Sequence, residues 1–535
     1  MPSLRQLAWF VSSLTLAQAK QPDFEPADFN VTTALESYGV DVSTVIPDGL
    51  QERSSDHFWP CSTACTALTA VYGSDRVLPQ DTAAYNNLSF WSGQQAQVQP
   101  HCVFKPAVNT DVSVAVLLSR LTRCPFAAKS GGHAAFRGSS NIPGGVTIWF
   151  NDLNEVKLNE DQSVASVGPG NIWGPVYKAL EPYGLAVLGG RSTDIGVGGM
   201  TTGGGISYYS NLYGWILDNV ESFEVVTARG AIVKASQTEH PDLYWGLRGG
   251  GNNLGLVTKF NLYTIPSPMM RGGERVFSEP NFPAVTRAFI DVVNRAKQDG
   301  NAQYYIAYLR TKGANIASAE LTYAKDVANP EILKPFREIT AISDSVSSKT
   351  LLQQSNEINA VNPNGLREVY WPIAVRLNEE FANWAVDHWY SVLGEVSDVQ
   401  GGNPVLIYQA LTEPILANMN KRGGNALGLN TSQGPLHLLH VSFWWEKEAD
   451  DAQVYKFTTD FWNTVIAKAK EMGIYNGYVY MNYASKFQDP IAGYGKENKA
   501  RLQRIAAEYD PTGVYQTLQP GYFKLNGAPA ENPYN

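Results

Sequence analysis

The sequence predicts an α+β protein with two principal domains, and three observations support this prediction. The chain has 535 residues, whereas a single hydrophobic core stops growing at roughly 250–300 residues. Between residues 98 and 269, short strand patterns are interleaved with helical ones, which is typical of a mixed domain. Between residues 270 and 475 the strand patterns are longer, and they predict an antiparallel sheet backed by helices.

The elements follow from apolar spacing and turn residues. A segment at 20–97 precedes the first domain and contains one predicted helix, at 61–73,. In the first domain we predict helices at 111–123 and 172–184 and strands at 125–130, 145–150, 163–168 and 185–190,. In the second domain we predict helices at 331–343 and 455–473 and strands at 302–310, 403–411 and 434–445, and a further strand at 477–485 follows it,.

The first 19 residues have the order of a secretory signal peptide. Arg5 precedes an apolar stretch from Leu7 to Leu16, and Ala17-Gln18-Ala19 forms a cleavage site of small residues,. We therefore expect a mature chain from Lys20, located outside the cell or in the lumen of the secretory pathway. No other apolar run approaches the ~20 residues that a membrane span needs.

Composition and charge argue against some classes of binding partner. Hydrophobic residues make up 44 % of the chain and charged residues 17 %, which is ordinary for a globular protein. The net charge is −9 and no block of Lys or Arg stands out, so neither nucleic acid nor an anionic membrane is expected as a partner. On a secreted chain, the sequons at Asn30, Asn87 and Asn430 are candidate N-glycosylation sites,.

The chain has four cysteines, Cys61, Cys65, Cys102 and Cys124. An even number in an oxidising compartment predicts two disulfides, for which three pairings are open. A zinc site is the alternative, but no C-x-x-C motif or suitably spaced histidine pair accompanies the cysteines. We therefore predict disulfides and no metal site.

Two glycine-rich segments mark a candidate ligand site. Residues 189–205 read GGRSTDIGVGGMTTGGG, with eight glycines in seventeen positions. Neither the G-x-G-x-x-G spacing nor a G-K-[ST] sequence is present, and no helix pattern begins there. Amides without side-chain cover can form a nest for a pyrophosphate. Residues 129–140 read KSGGHAAFRGSS, which fits either a turn with a solvent-facing histidine or a backbone cradle that presents His133 to a ligand.

Several motifs together resemble those of the berberine bridge enzyme-like flavoproteins, in the vanillyl-alcohol oxidase superfamily. They are KSGGHAAFRG, STDIGVGGMTTGGG, DNVESFEVV, DLYWGLRGGGNNLGLVT, YMNYAS and YDPTGVYQTLQPGYFKL, in that order between Cys61 and Leu525. The resemblance implies a two-domain PCMH-type FAD-binding fold with a substrate domain at 270–475. It also implies a C-terminal segment, 476–535, that returns to the FAD domain.

The resemblance also implies roles for particular residues. His133 corresponds to the histidine bonded to the C8α methyl of FAD. The other implied FAD contacts are Ser130, Gly131, Gly132, Ala134, Ser139, Ser192, Thr193, Gly196, Gly198, Gly199, Thr202, Val257 and Asn482. Many relatives carry a second link through a cysteine, but Ser192 stands at that position, so we expect attachment through His133 only. Ile195 corresponds to a position where β-branched residues accompany reaction with oxygen.

His440 and Tyr480 are the candidate catalytic residues. Strand alternation places His440 on the face of 434–445 opposite His437,, and related enzymes carry Glu or Gln at the matching position. An ordinary imidazole pKa of about 6.5 suits a general base. Tyr480, in the Y-x-N-Y motif, is expected to bind or deprotonate a substrate hydroxyl. Packing in the core is the alternative for both residues.

These observations predict a secreted FAD-dependent oxidase. It is expected to transfer hydride from a small, apolar specialised metabolite to the flavin, by alcohol oxidation or oxidative cyclisation, with O2 reduced to hydrogen peroxide. A carbohydrate oxidase is one alternative, in which aromatic rings stack on the sugar. A flavoprotein cyclase without net redox change and a secreted binding protein without cofactor are two others.

Overall fold

A computed structural model describes residues 24–46, 61–80 and 82–535. The predicted signal peptide, at 1–19, lies outside the described residues. Within the described residues the strands form three sheets, of four, six and nine strands, and helices pack between and around them. The α+β class predicted from the sequence is confirmed.

The four-stranded sheet lies nearest the N-terminus. Its strands are β1 (Val77–Pro79), β2 (Cys102–Phe104), β3 (Phe126–Lys129) and β4 (Val146–Trp149), in the order β1-β2-β4-β3. β4 pairs in parallel with both β2 and β3. Because β3 is a short buried strand that ends at Lys129, it delivers the following turn, residues 130–133, to the edge of the sheet.

The six-stranded sheet completes the first half of the described chain. Its strands are β5 (Val156–Leu158), β6 (Val164–Val167), β7 (Leu185–Val187), β8 (Val220–Val226), β9 (Ile232–Ser236) and β10 (Leu256–Pro266). The order is β5-β6-β10-β8-β9, with β7 paired to β10, and all pairs are antiparallel. β10 alternates buried and partly exposed residues, as expected for a strand with one face on the core.

The nine-stranded sheet forms the second half. Its strands are β11 (Met270–Ser278), β12 (Ala302–Thr311), β13 (Ala314–Tyr323), β14 (Ser343–Asp344), β15 (Ser347–Lys349), β16 (Arg367–Arg376), β17 (Asn403–Leu411), β18 (Leu436–Trp445) and β19 (Tyr475–Asn476). The order is β14-β11-β13-β12-β17-β18-β16-β19, with β15 paired to β11. All pairs are antiparallel.

The helices connect and cover these sheets. In the described residues they are α1 (Val31–Ser37), α2 (Val42–Val45), α3 (Cys61–Tyr72), α4 (Ala83–Asn86), α5 (Gly93–Ala96), α6 (Asn109–Thr122), α7 (Trp173–Leu180), α8 (Val197–Gly203), α9 (Ser210–Tyr213), α10 (Pro241–Leu247), α11 (Phe282–Arg295), α12 (Lys334–Arg337), α13 (Leu351–Ala360), α14 (Glu379–Val392), α15 (Glu413–Asn418), α16 (Asp451–Glu471), α17 (Pro490–Gly493), α18 (Lys496–Tyr509) and α19 (Val514–Thr517). Helices α11, α14 and α16 bury their apolar side chains against one face of the nine-stranded sheet.

The other face of the nine-stranded sheet is not covered by these helices, and it lines a cavity. On β18, Leu439, Val441 and Phe443 point into the core under the helices. His440, between them, points the other way and lines a cavity. The alternation predicted for this strand is confirmed, because side chains along a strand project to opposite faces in turn.

Three local predictions are wrong. The predicted helix at 331–343 is only a 3-10 turn, Glu331–Leu333, followed by α12. It ends early because Arg275 donates to the carbonyls of Phe336 and Ile339, and Ile342 N bonds to Val276 O across the sheet.

The segment 477–485 is not a strand. Residues 477–480 have no regular secondary structure, and Met481–Tyr483 is a 3-10 turn. β19 pairs with β16 for two residues only, after which the chain leaves the sheet. Conversely, α8 is a helix where none was expected, because packing overrides the low helix propensity of glycine,.

The four cysteines form the pairs Cys61–Cys124 and Cys65–Cys102. The prediction of two disulfides is confirmed, and the pairing left open is now fixed. Both bridges tie α3 to the four-stranded sheet and its neighbours, and Cys124 stands two residues before Phe126, where β3 begins.

The asparagines of the three sequons, Asn30, Asn87 and Asn430, are exposed. Of the helices that the structure describes, none combines the length and the apolar character that crossing a bilayer demands.

Candidate active site

A cavity of about 290 Å³ lies between the glycine-rich segments and the free face of the nine-stranded sheet. All but one of the residues predicted to form the site line it. They are Ser130, Gly131, Gly132, His133, Ala134, Ser139, Ser192, Gly196, Gly198, Gly199, Thr202, Val257, His440, Tyr480 and Asn482. Residues more than 300 positions apart, such as His133 and His440, therefore share one chamber.

His133 stands at the end of the turn that follows β3. Its ring stacks on Trp91, with centroids 4.2 Å apart and planes 10° apart. Nε2 lies 3.7 Å from Asp194 Oδ1 and has no hydrogen-bond partner among the described residues. Burial lowers the pKa of His133, and the Asp194 carboxylate opposes this only in part. The imidazole is therefore neutral at physiological pH, the form that has a lone pair for a nucleophilic attack.

The segment before the first domain clamps the histidine turn. Trp91 N donates to Gly132 O at 3.3 Å. Gln95 Nε2 donates to Ala134 O at 2.7 Å, and Gln95 Oε1 accepts from Ser140 N at 2.8 Å. The imidazole is thus held from two sides, by its own turn and by the segment around Trp91.

The two glycine segments touch through bare backbone. A Cβ added to Gly131 would lie 2.5 Å from Gly196 N, a distance that side-chain atoms cannot adopt. Ser130 Oγ donates to Pro169 O at 2.6 Å and accepts from Gly198 N at 3.1 Å. The Ser130 hydroxyl therefore ties the segments together in addition to lining the cavity.

Thr193 is the predicted residue that does not line the cavity. Its carbonyl accepts from Gly174 N at 2.9 Å, at the start of α7, and its side chain packs against Gly174. Ser192 does line the cavity, and its Oγ donates to Asp194 Oδ1 at 3.0 Å. All four cysteines of the chain are in disulfides, so the site contains no thiol for a second link to a ligand.

His440 lies between the rings of Tyr370 and Tyr483, with centroids at 5.7 and 4.5 Å. Burial, aided by the positive charge of Arg191, lowers the pKa of His440 to about 3. The expectation of an ordinary imidazole pKa at this position is wrong, because the pocket wall excludes water. Complete proton transfer to His440 costs about 5 kcal/mol more than transfer to imidazole in water. The residue is therefore a neutral hydrogen-bonding group, and its Nδ1 has no partner among the described residues.

Tyr480 is buried beside Trp215, with ring centroids 5.3 Å apart. Its hydroxyl accepts a hydrogen bond from Gly205 N at 3.0 Å. Burial raises the pKa of Tyr480 well above its ordinary value, so the phenol keeps its proton. It can donate a hydrogen bond to a ligand, whereas the predicted role in deprotonation is disfavoured.

Other residues that were not predicted from the sequence also line the cavity, among them Arg191, Tyr305, Tyr370 and Gln409. Arg191 lies within the glycine-rich segment, where a single cation among glycines and hydroxyl residues was a usable signal. Tyr305, Tyr370 and Gln409 are ordinary strand residues in the sequence. They meet only because β12, β16 and β17 are neighbours or near neighbours in the sheet.

The residues present fit FAD. The glycine segments leave backbone accessible for a phosphate chain, and Gly199 is exposed to the cavity with no atom within 4 Å of an added Cβ. Asn482 Nδ2 donates to Met200 O at 3.0 Å, while Asn482 Oδ1 is buried and lacks a partner among the described residues. Such an acceptor matches the N–H of a flavin pyrimidine ring.

Comparison with known proteins agrees with this site. Residues 100–236 match a family described as a FAD binding domain. The chain is 38 % identical over 504 residues to the FAD-dependent monooxygenase tpcD of Cochliobolus heterostrophus. The aligned region covers 89 % of this chain and 97 % of tpcD.

Two solved structures share the fold at 19 % identity. The BBE-like 1 protein of Physcomitrella patens has a TM-score of 0.71 and covers 88 % of this chain and 99 % of its own. The glucooligosaccharide oxidase of Acremonium strictum, described with a 6-S-cysteinyl, 8α-N1-histidyl FAD, has a TM-score of 0.70 and covers 88 % and 100 %.

The fold and the site therefore define an FAD-dependent oxidoreductase with a two-domain PCMH-type fold. More specifically, the chain belongs to the family of FAD-dependent proteins that includes tpcD, and its fold is that of a berberine bridge enzyme-like protein, as its motifs predict.

Proposed function

We propose that the protein is an oxidase that acts on a small, largely apolar metabolite, with FAD attached through His133 only. The observation that carries this proposal is the neutral, clamped imidazole at the mouth of a glycine cradle, facing the free side of the nine-stranded sheet. When bound, FAD supplies a two-electron acceptor that O2 can reoxidise.

The covalent link is supported by the state of His133. Nε2 is buried and makes no hydrogen bond among the described residues, and the uncharged ring has a lone pair at neutral pH. The Trp91 stack fixes the plane of the ring, which favours one direction of attack. Because Ser192 carries a hydroxyl and not a thiol, we propose a single attachment.

The substrate side of the cavity combines apolar walls with a few polar groups. Ile195, Ile358 and Ile407 contribute apolar surface, and Tyr480 and His440 contribute hydrogen-bonding groups. Sites of this composition bind small organic molecules. Tyr480 would donate to a substrate oxygen, and neutral His440 would accept from a substrate hydroxyl and orient it.

The proposed reaction is balanced with dioxygen. The substrate loses a hydride and a proton, as when an alcohol becomes a carbonyl compound. The same two electrons and two protons convert O2 to hydrogen peroxide. Ile195 lines the cavity. It stands at the position where, in related oxidases, a β-branched residue accompanies reaction with oxygen.

Monooxygenation is the second candidate, because the relative tpcD is named an FAD-dependent monooxygenase. In that reaction one oxygen atom enters the product and the other becomes water. Two electrons must come from an external donor, such as a reduced nicotinamide. The two candidate reactions therefore differ in that only monooxygenation consumes an external electron donor.

The test uses purified protein and a panel of cinnamyl alcohol, vanillyl alcohol, glucose and cellobiose. An oxidase consumes O2 and releases peroxide in a 1:1 ratio without a nicotinamide. Label from 18O2 in the organic product, with NADPH consumed, would overturn the oxidase proposal in favour of monooxygenation. Peroxide from the sugars alone would establish a carbohydrate oxidase instead, and conversion of a substrate without O2 uptake would establish a cyclase.

We also propose that the protein is secreted and carries N-glycans at Asn30, Asn87 and Asn430. The exposure of these asparagines and the two disulfides support this proposal,. Expression in a eukaryotic host with its own leader should place the protein in the medium, and peptide-N-glycosidase should increase its electrophoretic mobility. Retention inside the cell without glycans would contradict it.

A further inference from the structure

Arg191 is held rigidly at the wall of the cavity. It follows Gly190, where an added Cβ would lie 2.6 Å from Trp173 Cδ1, so the backbone is pressed against that indole. Tyr208 OH donates to Arg191 O at 3.2 Å. The point from which the side chain leaves the backbone is therefore fixed.

The guanidinium is held on one edge and free on the other. Nη2 donates to Gln409 Oε1 at 2.9 Å and to Tyr483 OH at 2.7 Å, and the group lies 5.0 Å from the centroid of the Tyr305 ring. Nη1 is buried and has no hydrogen-bond partner among the described residues. A fork that is fixed through one nitrogen presents the other to the cavity.

No described carboxylate lies within 4 Å of this cation. The Asp194 carboxylate is engaged by Ser192 and lies near His133. Burial raises the pKa of Glu320 to about 8, so that carboxyl is largely protonated near neutral pH. A desolvated charge without a counter-ion is unfavourable by several kcal/mol, which makes the pocket complementary to an anion.

We propose that Arg191 binds an ionised oxygen of the substrate, so that the substrate is an apolar molecule bearing a carboxylate or an acidic enol. This inference rests on the proposed function and names its substrate class. Nη1 donates to the anionic oxygen, while Gln409 and Tyr483 hold the guanidinium in place. Apolar side chains, among them Ile358 and Ile407, surround the remainder of the molecule.

The test compares two probes of the same shape, benzoate and benzamide. Binding to the purified holoprotein is followed by the change in flavin absorbance and by equilibrium dialysis, without turnover. Wild-type protein should bind benzoate at least ten-fold more tightly than benzamide, and Arg191→Met should remove this preference. Arg191→Lys keeps the charge and should retain part of it.

Arg501→Met is the matched control, because Arg501 also lies over an aromatic ring, 3.9 Å from the centroid of Trp245, but does not line the cavity. It should leave the preference intact. Equal binding of the two probes by wild-type protein would overturn the inference, and this result needs no variant that folds. A change in the flavin spectrum of Arg191→Met with an unchanged preference would also overturn it.

The two proposals fail separately. If the protein prefers benzoate through Arg191 but neither the neutral panel nor an acidic alcohol such as 4-(hydroxymethyl)benzoate yields peroxide, the anion site stands and the oxidase proposal falls. If neutral alcohols yield peroxide and charge does not affect binding, the oxidase proposal stands and the anion site falls.

Discussion

Replacing Gly199 with alanine separates the fold from the cofactor site. Gly199 lies in α8, is exposed to the cavity, and has no atom within 4 Å of an added Cβ. In the protein alone the change stabilises the helix by about 1 kcal/mol. For a chain of 535 residues this raises Tm by about 1 °C.

If FAD lies against α8, as the motif resemblance implies, the same methyl group would fill space that the cofactor needs. Inserting a methyl group into a close contact costs about 1–3 kcal/mol. We therefore expect Gly199→Ala to fold as well as wild type but to carry less flavin. Far-UV circular dichroism on heating measures the first quantity, and the ratio of absorbance at 450 and 280 nm measures the second.

Two further variants complete the design. Gly394→Ala is the control, because Gly394 is exposed, does not line the cavity and has no atom within 4 Å of an added Cβ. Gly394 also lies in a helical turn, so the change should raise Tm by at most about 1 °C and should leave the absorbance ratio unchanged. Gly196→Ala should lower the yield of folded protein, because its Cβ collides with the backbone of Gly131. A fully flavinylated Gly199→Ala protein would refute the placement of the cofactor against α8.

Three other predictions follow from single features. Cys61→Ser, which opens a bridge of sequence separation 63, should cost about 4 kcal/mol of stability, measured by urea unfolding beside wild type. His133→Ala should give a protein whose pellet is colourless after acid precipitation, whereas a yellow pellet would exclude attachment at this residue. His437→Leu should make stability less sensitive to acid. In the folded protein the pKa of His437 is about 3, below the unfolded value of 6.5, so the unfolded state binds more protons as the pH falls. The wild type therefore loses about 2 kcal/mol of stability from this residue between pH 7 and 5. If Tm fell by the same amount in both proteins over that range, the reasoning would be contradicted.

Much of the framework could be predicted from local pattern. The helix at 111–123 and the strand at 434–445 have strong periodicity, and α6 and β18 match them closely. The prediction of a helix at 331–343 is wrong because Arg275, which is distant in sequence, donates hydrogen bonds to the carbonyls of Phe336 and Ile339. These bonds replace the ones that a continuing helix would supply. Such competition has no local signal.

The cavity likewise combines features that have a local sequence signal with features that do not. Motifs brought His133 and the glycines into the candidate site, since a turn and a bare backbone are local features. The pKa of His440 could not be predicted, because it depends on burial by neighbouring strands and on Arg191. Likewise, Gln409 and Tyr305 reach the cavity through strand order, which becomes known only once the sheet is assembled.

The clamp around His133 has a consequence for recombining this protein with its relatives. The matched FAD binding domain begins at residue 100, but Trp91 and Gln95, which contact the histidine turn, precede it. A chimera with its crossover at that boundary would combine an imidazole from one parent with a stacking partner from the other. Productive crossovers should therefore lie upstream of Trp91, so that the ring and its support are inherited together.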